Sequence, residues 1–281
     1  MIKMQKNIFF KALSNPLAMA GFIIITIMFI LAMLAPLLAP YDSDAFDVKA
    51  ILLSPSWQHW MGTDGLGRDV FSRMLYGGRI SLLVGIVAVG ISTAIGILLG
   101  ALAGYYRGWI DTVIMRLVDV MLSIPSFFLI LAVIAFLTPS IYNVMIVIGL
   151  TSWMGVTRLV RAEFLSLSGR EFIMASRTLG ANDVRLIFVH LLPNSLTPII
   201  VSAVLGVAGA VLLESGLSFL GLGVQAPQAS WGNILTDGKD YIQFAWWLSL
   251  FPGLAILLTV LGYNLLGEGL RDALDHRSQS S

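Results

Sequence analysis

The sequence contains no cysteine, which excludes disulfides, thiol catalysis and cysteine-ligated metal sites. Its three histidines, His59, His190 and His276, form no H-E-x-x-H pattern, and G-x-S-x-G does not occur. We therefore predict neither catalytic residues nor a metal site. Charged residues make up only 12% of the chain, against about 25% in a soluble domain. The net charge of +1 gives no indication of nucleic-acid binding.

Apolar residues dominate instead, at 57% of the chain with a mean hydropathy of +0.88. Six segments approach the ~20 apolar residues that a bilayer requires. They are 17–38, 80–104, 117–138, 141–157, 196–220 and 245–266. The first is too long for a cleaved signal peptide, and Pro36 and Pro40 make a poor cleavage site. We predict an all-α integral membrane protein with six transmembrane helices.

Basic residues predict the orientation of these spans. With the N-terminus inside, twelve of the 17 lysines and arginines lie on the inner side and five on the outer side. The positive-inside rule then places both termini in the cytoplasm. The predicted divisions are an interfacial segment 1–16, the first span 17–38, an extracytoplasmic segment 39–79, a five-helix core 80–266 and a tail 267–281. Segment 1–16 is equally compatible with a frayed basic tail.

The inner loop 158–195 is unusually polar and ordered for a connection between spans. Its stretch EFIMASRTLGANDVRLIFVHLLPN, residues 171–194, has apolar and small residues at helical spacing on both sides of Gly180. Gly180 can terminate the first helix with a positive φ, and Asn182 or Asp183 can cap the second. Pro193 is predicted to end the second helix. The sequence thus predicts a helix–glycine–helix elbow that faces water.

This elbow resembles the EAA loop of ABC importer permeases, whose pattern is Glu-Ala-Ala, three residues, Gly, nine residues and Ile-x-Leu-Pro. Ala175, Gly180 and Pro193 occupy matching positions, whereas Met174 and His190 depart from the pattern. Three further stretches resemble the peptide/nickel branch of that family. They are HWMGTDGLGRDVFSRMLYGGRISL at 59–82, LSFLGLGVQAPQASWGNIL at 217–235 and NLLGEGLRDALD near the C-terminus. The resemblance covers residues 17–275.

The resemblance implies a type I ABC importer permease whose elbow docks onto a cytoplasmic ATPase. The implied ATPase-docking residues are Ala175, Ser176, Arg177, Leu179, Gly180, Ala181, Asn182 and Asp183. His190, Leu192 and Pro193 would brace the elbow. The alternative is a solvated hairpin that packs only on its own protein.

The implied partners are a second, non-identical permease, two cytoplasmic ATPase subunits, an extracytoplasmic substrate-binding protein and the bilayer. ATP and Mg²⁺ would bind to the ATPases and no cofactor to this chain, since its single Gly-Lys, Gly238-Lys239, lies in no P-loop. The expected substrates are di- or oligopeptides, with nickel or other metal chelates and glutathione as alternatives. The expected location is a bacterial or archaeal cytoplasmic membrane. A secondary transporter is the rival from another class, but no inverted repeat is visible.

Two outer segments carry candidates for docking of the binding protein. These candidates are Asp64, Arg68, Asp69 and Trp231. The alternative is that the charged residues brace the turn into the second span, with an Asp69–Arg73 pair, and that Trp231 is an interfacial anchor. Trp246 and Trp247 are interpreted as residues of the aromatic belt.

Charges inside the spans need a partner. Glu214, with Ser215 and Ser218, either lines the translocation path or forms a hydrogen-bonded clamp. Asp119 is predicted to pair with Arg116.

Backbone features of the spans lead to two further predictions. Pro125 should kink the third span. The glycines at 96, 100 and 104 should form a close-packing face, either internal or at the seam with the second permease.

Overall fold

A computed structural model describes the backbone of residues 14–278 and the side chains of residues 14–273. Within that range the chain is helical, and its only β-type pairing is an isolated bridge between Thr63 and Asp69. The helices are α1 (Pro16–Met33), α2 (Ala35–Leu38), α3 (Val70–Tyr106), α4 (Gly108–Ser123), α5 (Ser126–Ile134), α6 (Ile141–Leu150), α7 (Met154–Ser168), α8 (Glu171–Thr178), α9 (Asp183–Phe219), α10 (Trp231–Gly238) and α11 (Trp247–Ser278). Most of the predicted interfacial segment 1–16 lies outside the described residues.

Five helical stretches are long and apolar enough to cross a membrane, and the bent pair α4–α5 makes a sixth when its two arms are counted as one broken span. The predicted six-span, all-α architecture is confirmed. The helices differ from the apolar runs in length, because polar residues extend them beyond the bilayer. Helix α3 begins at Val70 and not at residue 80, and α9 begins at Asp183, in the elbow.

Helix α3 lies at the centre of the fold and packs most extensively along α7. The predicted close-packing glycines, at 96, 100 and 104, make this contact. A Cβ added to Gly96 would lie 2.5 Å from the Cβ of Val156, and one on Gly100 would lie 2.6 Å from that of Val160. The face is therefore used for internal packing, and the proposed seam with a second permease does not involve it.

Pro125 separates α4 from α5, and the two helices meet at an angle of 85°. The predicted kink is confirmed. The predicted pairing of Asp119 with Arg116 is wrong, since Asp119 accepts a 2.5 Å hydrogen bond from Arg158 of α7. A second ion pair, Arg161 with Asp111 at 2.6 Å, ties the same two helices together. The tertiary fold brings α7 close enough for its arginines to replace the sequence neighbour.

Candidate functional site

The elbow consists of α8, a short turn at Gly180 and the first turns of α9. Gly180 has φ +83°, which a residue without Cβ adopts at no steric cost. The side chain of Asn182 accepts a 2.9 Å hydrogen bond from the Arg185 amide and caps α9. The predicted helix–glycine–helix geometry, with Asn182 as the cap, is confirmed.

The prediction that Pro193 ends the second helix is wrong. Leu186–Leu191 widens to a π-helical pitch, and Pro193 then falls in the first turn of the α-helical stretch Leu192–Phe219. Proline is tolerated in a first turn, where its missing amide costs little. The second arm of the elbow is thus continuous with a membrane span. At ~1.5 Å per residue, α9 is about 55 Å long.

The elbow is anchored by a few buried side chains. Ile173, Leu186 and Leu191 pack with Val160 and Phe164 in one hydrophobic cluster. Leu192 packs against the same cluster, as expected of a bracing residue. His190 is half-buried, and its carbonyl accepts a 2.6 Å hydrogen bond from the Asn194 side chain.

Several other apolar side chains of the elbow face outward. Leu179 is 88% exposed, and an added Cβ on Gly180 would meet nothing within 4 Å. The other exposed apolar residues are Phe172, Met174, Val184, Phe188 and Val189. Apolar side chains that a protein exposes next to charged loop residues are characteristic of a surface that contacts a partner protein or the membrane. A hairpin that packed only on its own protein would bury them.

Charged and aromatic residues connect the elbow to the C-terminal end of α3. The Tyr105 hydroxyl donates a 2.7 Å hydrogen bond to Asp183, and the Arg177 guanidinium lies 6.0 Å from the Tyr105 ring centroid. Two of the predicted docking residues therefore also hold the elbow against a central span.

Glu214 is fully buried within this chain, between α3, α9 and α10. Its carboxylate accepts hydrogen bonds from Ser81 at 3.0 Å, Ser218 at 2.8 Å and Ser215 at 3.4 Å. Ser81 in turn accepts a 3.3 Å hydrogen bond from the Trp231 amide. This arrangement favours the clamp interpretation of Glu214 over a path-lining role. Ser81 was missed by sequence reasoning, because nothing local marks one serine among several in an apolar span.

The candidates for binding-protein docking in 39–79 form a buried ionic cluster. Asp64 accepts hydrogen bonds from both Arg68 and Arg73, and Asp237 of α10 accepts from the same two arginines at 3.0 and 2.8 Å. Asp69 caps α3 through the Ser72 amide at 2.8 Å.

The predicted Asp69–Arg73 pair is therefore wrong, since the guanidinium of Arg73 forms ion pairs with Asp64 and Asp237 instead. Asp64, Arg68 and Asp69 are all buried. They brace the outer segment and offer no surface for direct docking.

Two further predictions, which concern Trp231 and Trp247, are corrected by the structure. Trp231 is 2% exposed and donates a 3.1 Å hydrogen bond to the Met74 carbonyl. It is therefore neither an interfacial anchor nor a surface for docking. Trp247 is also buried and donates to the Thr63 carbonyl at 3.0 Å, so it lies outside any aromatic belt. Trp246 alone of the pair is exposed.

Residues 96–280 match the sequence profile of the family described as "Binding-protein-dependent transport system inner membrane component". The chain belongs to this family of ABC transporter permeases. Residues 6–55 of this permease match a second profile, the "N-terminal TM domain of oligopeptide transport permease C".

Similar proteins cover nearly the whole permease. A dipeptide transport system permease protein of Alkalihalophilus pseudofirmus is 48% identical over 95% of this chain and 88% of its own length. A probable D,D-dipeptide transport system permease protein of Escherichia coli is 44% identical over 94% of this chain and 89% of its own.

The fold is also similar to that of a solved methionine ABC transporter in an inward-facing conformation. The TM-score is 0.56 at 20% identity, over 71% of this chain and 95% of the other. The type I ABC importer permease fold is thereby confirmed. Among residues 14–273, whose side chains are described, no group of three or more His, Cys, Asp or Glu residues is placed to hold a metal ion.

Proposed function

We propose that this permease moves di- or oligopeptides into the cell as one subunit of an ATP-driven importer in the cytoplasmic membrane. The elbow is the observation that carries the proposal, because it presents outward apolar residues and its second arm continues as the membrane-spanning helix α9. The names of the relatives, which describe dipeptide and D,D-dipeptide transport, support a peptide substrate.

In this proposal the ATPase docks onto residues 175–183. The sequence holds no P-loop, so ATP and Mg²⁺ belong to the partner subunits. When two ATPases close on ATP, each elbow is displaced, and α9 transmits the displacement because the second arm of the elbow and the span belong to one continuous helix. The Glu214 clamp joins α9 to α3 and α10 near the outer surface, so these elements move together.

A second permease, which we take to be non-identical, and an extracytoplasmic binding protein complete the transporter. The binding protein delivers substrate to the outward-open state, and separation of the ATPases releases it inward. With the elbow in the cytoplasm, both termini are also cytoplasmic, as the basic residues favour.

The test is uptake by proteoliposomes that contain the assembled transporter, with binding protein outside and ATP at the ATPases. Labelled di- and oligopeptides should accumulate only with ATP, binding protein and this chain together. Uptake of a nickel chelate or of glutathione, with peptides neither transported nor competing, would overturn the peptide assignment. Uptake without any ATPase would indicate a secondary transporter instead.

A further inference from the structure

A cavity of about 800 Å³ opens at the end of the protein opposite the elbow. It lies where α2 and the segment that follows it meet the outer part of α3 and the loop before α10. Its polar lining includes Tyr41, Asp42, Asp44, Arg79 and Gln228. The cavity therefore combines one cationic side chain with two carboxylates.

These three charges have no partner of opposite sign in the part of the chain whose side chains are described. Arg79 is exposed, and its contact is with the Tyr76 ring, 6.0 Å away. Asp42 and Asp44 accept local hydrogen bonds, at 3.1 Å from the Asp44 amide and 3.2 Å from the Ser43 hydroxyl. The nearby Arg68 and Arg73, by contrast, are held by carboxylates.

An apolar groove continues from this cavity along the membrane. A second cavity of about 230 Å³ shares Arg79 and Leu83 with the first. Its other lining residues are Phe29, Ala32, Met33, Leu82 and Ile86. Residues 80–106 contain no charge, so Arg79 marks the boundary between the polar headgroup region and the hydrocarbon.

We propose that this composite site binds a membrane phospholipid with a phosphoethanolamine headgroup. Arg79 donates hydrogen bonds to the phosphate, and Asp42 and Asp44 accept from the ammonium group. An acyl chain lies in the groove between α1 and α3. The two carboxylates would repel a purely anionic headgroup, and a choline headgroup has no N–H to donate to them.

Native mass spectrometry of the transporter, purified with its partner subunits and exchanged into defined lipids, tests the proposal. Wild-type protein should retain phosphatidylethanolamine in preference to phosphatidylglycerol and phosphatidylcholine. Arg79→Gln should lower this retention roughly fivefold, the effect of one basic side chain at a membrane surface. Arg79→Lys should keep part of it. Lys49→Gln, an exposed outer lysine that lines neither cavity, is the matched control and should change nothing.

The ratio in which the protein retains different phospholipids can be measured independently of how much of each variant folds. The double variant Asp42→Asn with Asp44→Asn should lose the preference for phosphatidylethanolamine and bind phosphatidylglycerol more strongly than wild type. Soluble glycerophosphoethanolamine should not displace the lipid at equal concentration, since it lacks the acyl chain. Unchanged retention in Arg79→Gln, or displacement by the soluble headgroup, would overturn the proposal. So would a failure of the assembled wild-type transporter to retain phosphatidylethanolamine, which would indicate that a partner subunit covers the site.

Discussion

The Tyr105 hydroxyl donates a 2.7 Å hydrogen bond to the carboxylate of Asp183 and so joins the C-terminal end of α3 to the first residue of α9. The bond connects a central span to the elbow at the position where α9 begins. Because α9 continues to Phe219, a displacement of the elbow acts on both spans together.

Removing this hydrogen bond should loosen the elbow without unfolding the spans. We expect Tyr105→Phe to cost about 1 kcal/mol locally and to lower peptide uptake per ATP hydrolysed. The matched control is Tyr106→Phe, since the neighbouring Tyr106 is exposed and its ring contact with Tyr105 does not involve the hydroxyl. Equal coupling ratios for the two variants and wild type in proteoliposomes would show that the bond does not contribute to transmission.

Gly180→Val should disrupt the elbow while membrane insertion survives. At φ +83° a β-branched residue costs about 1–2 kcal/mol or more. We expect weak co-purification of the ATPase, or ATP hydrolysis that no longer drives uptake. Gly180→Asn should be milder, because asparagine tolerates positive φ.

Gly169→Val provides the control, since Gly169 has φ −87° and an added Cβ meets only a 3.9 Å contact. Normal ATPase binding together with normal ATP-driven uptake in Gly180→Val would show that the elbow is a surface hairpin with no role in docking or coupling.

The absence of native cysteine allows a direct test of orientation. We expect Ser56→Cys, on the exposed outer segment, to react with a membrane-impermeant maleimide added to intact cells. Ser168→Cys, at the end of α7, should react only after permeabilisation. The reverse pattern would overturn the orientation and with it the proposed ATPase docking.

Glu214 should contribute to stability more than to substrate contact. Glu214→Leu leaves the hydroxyls of Ser81 and Ser218 without their acceptor, at a cost of about 1–3 kcal/mol. We therefore expect a lower melting temperature of the purified transporter. Glu214→Gln keeps an acceptor and should lie closer to wild type. Abolished uptake in Glu214→Gln at an unchanged melting temperature would instead place Glu214 on the translocation path.

The buried ionic cluster should be sensitive to the loss of one member. Arg73→Met removes a partner from both Asp64 and Asp237 and should cost about 3–5 kcal/mol, since a buried carboxylate loses compensation. Lys239→Met, at an exposed residue two positions after Asp237, should have little effect. Thermal unfolding in matched detergent compares the two, and equal melting temperatures would mean that the cluster adds no net stability.

Local chemistry allowed several features to be predicted from the sequence. Uncharged runs close to the length needed to cross a bilayer predicted the spans, and Pro125 predicted the break between α4 and α5. Gly180 and Asn182 predicted the turn and the helix cap of the elbow. Both features are local, because a positive φ and an N-cap each depend on only one or two residues. The prediction that Pro193 ends the second helix is wrong, because the π-helical segment that accommodates this proline depends on packing and not on the local sequence.

The tertiary structure alone decided which charged and polar residues meet. Arg73 and Asp237 are separated by 164 positions and Ser81 and Glu214 by 133, so no spacing rule connects them. Asp119 has a plausible neighbour one turn away, yet it pairs with Arg158 because the packing of α4 on α7 brings the two together. The sequence by itself determines the apolar spans and the turns that depend on one or two residues, such as Gly180 and Pro125, since those energies are local. Partner choice in a low-dielectric interior depends instead on which helices pack side by side.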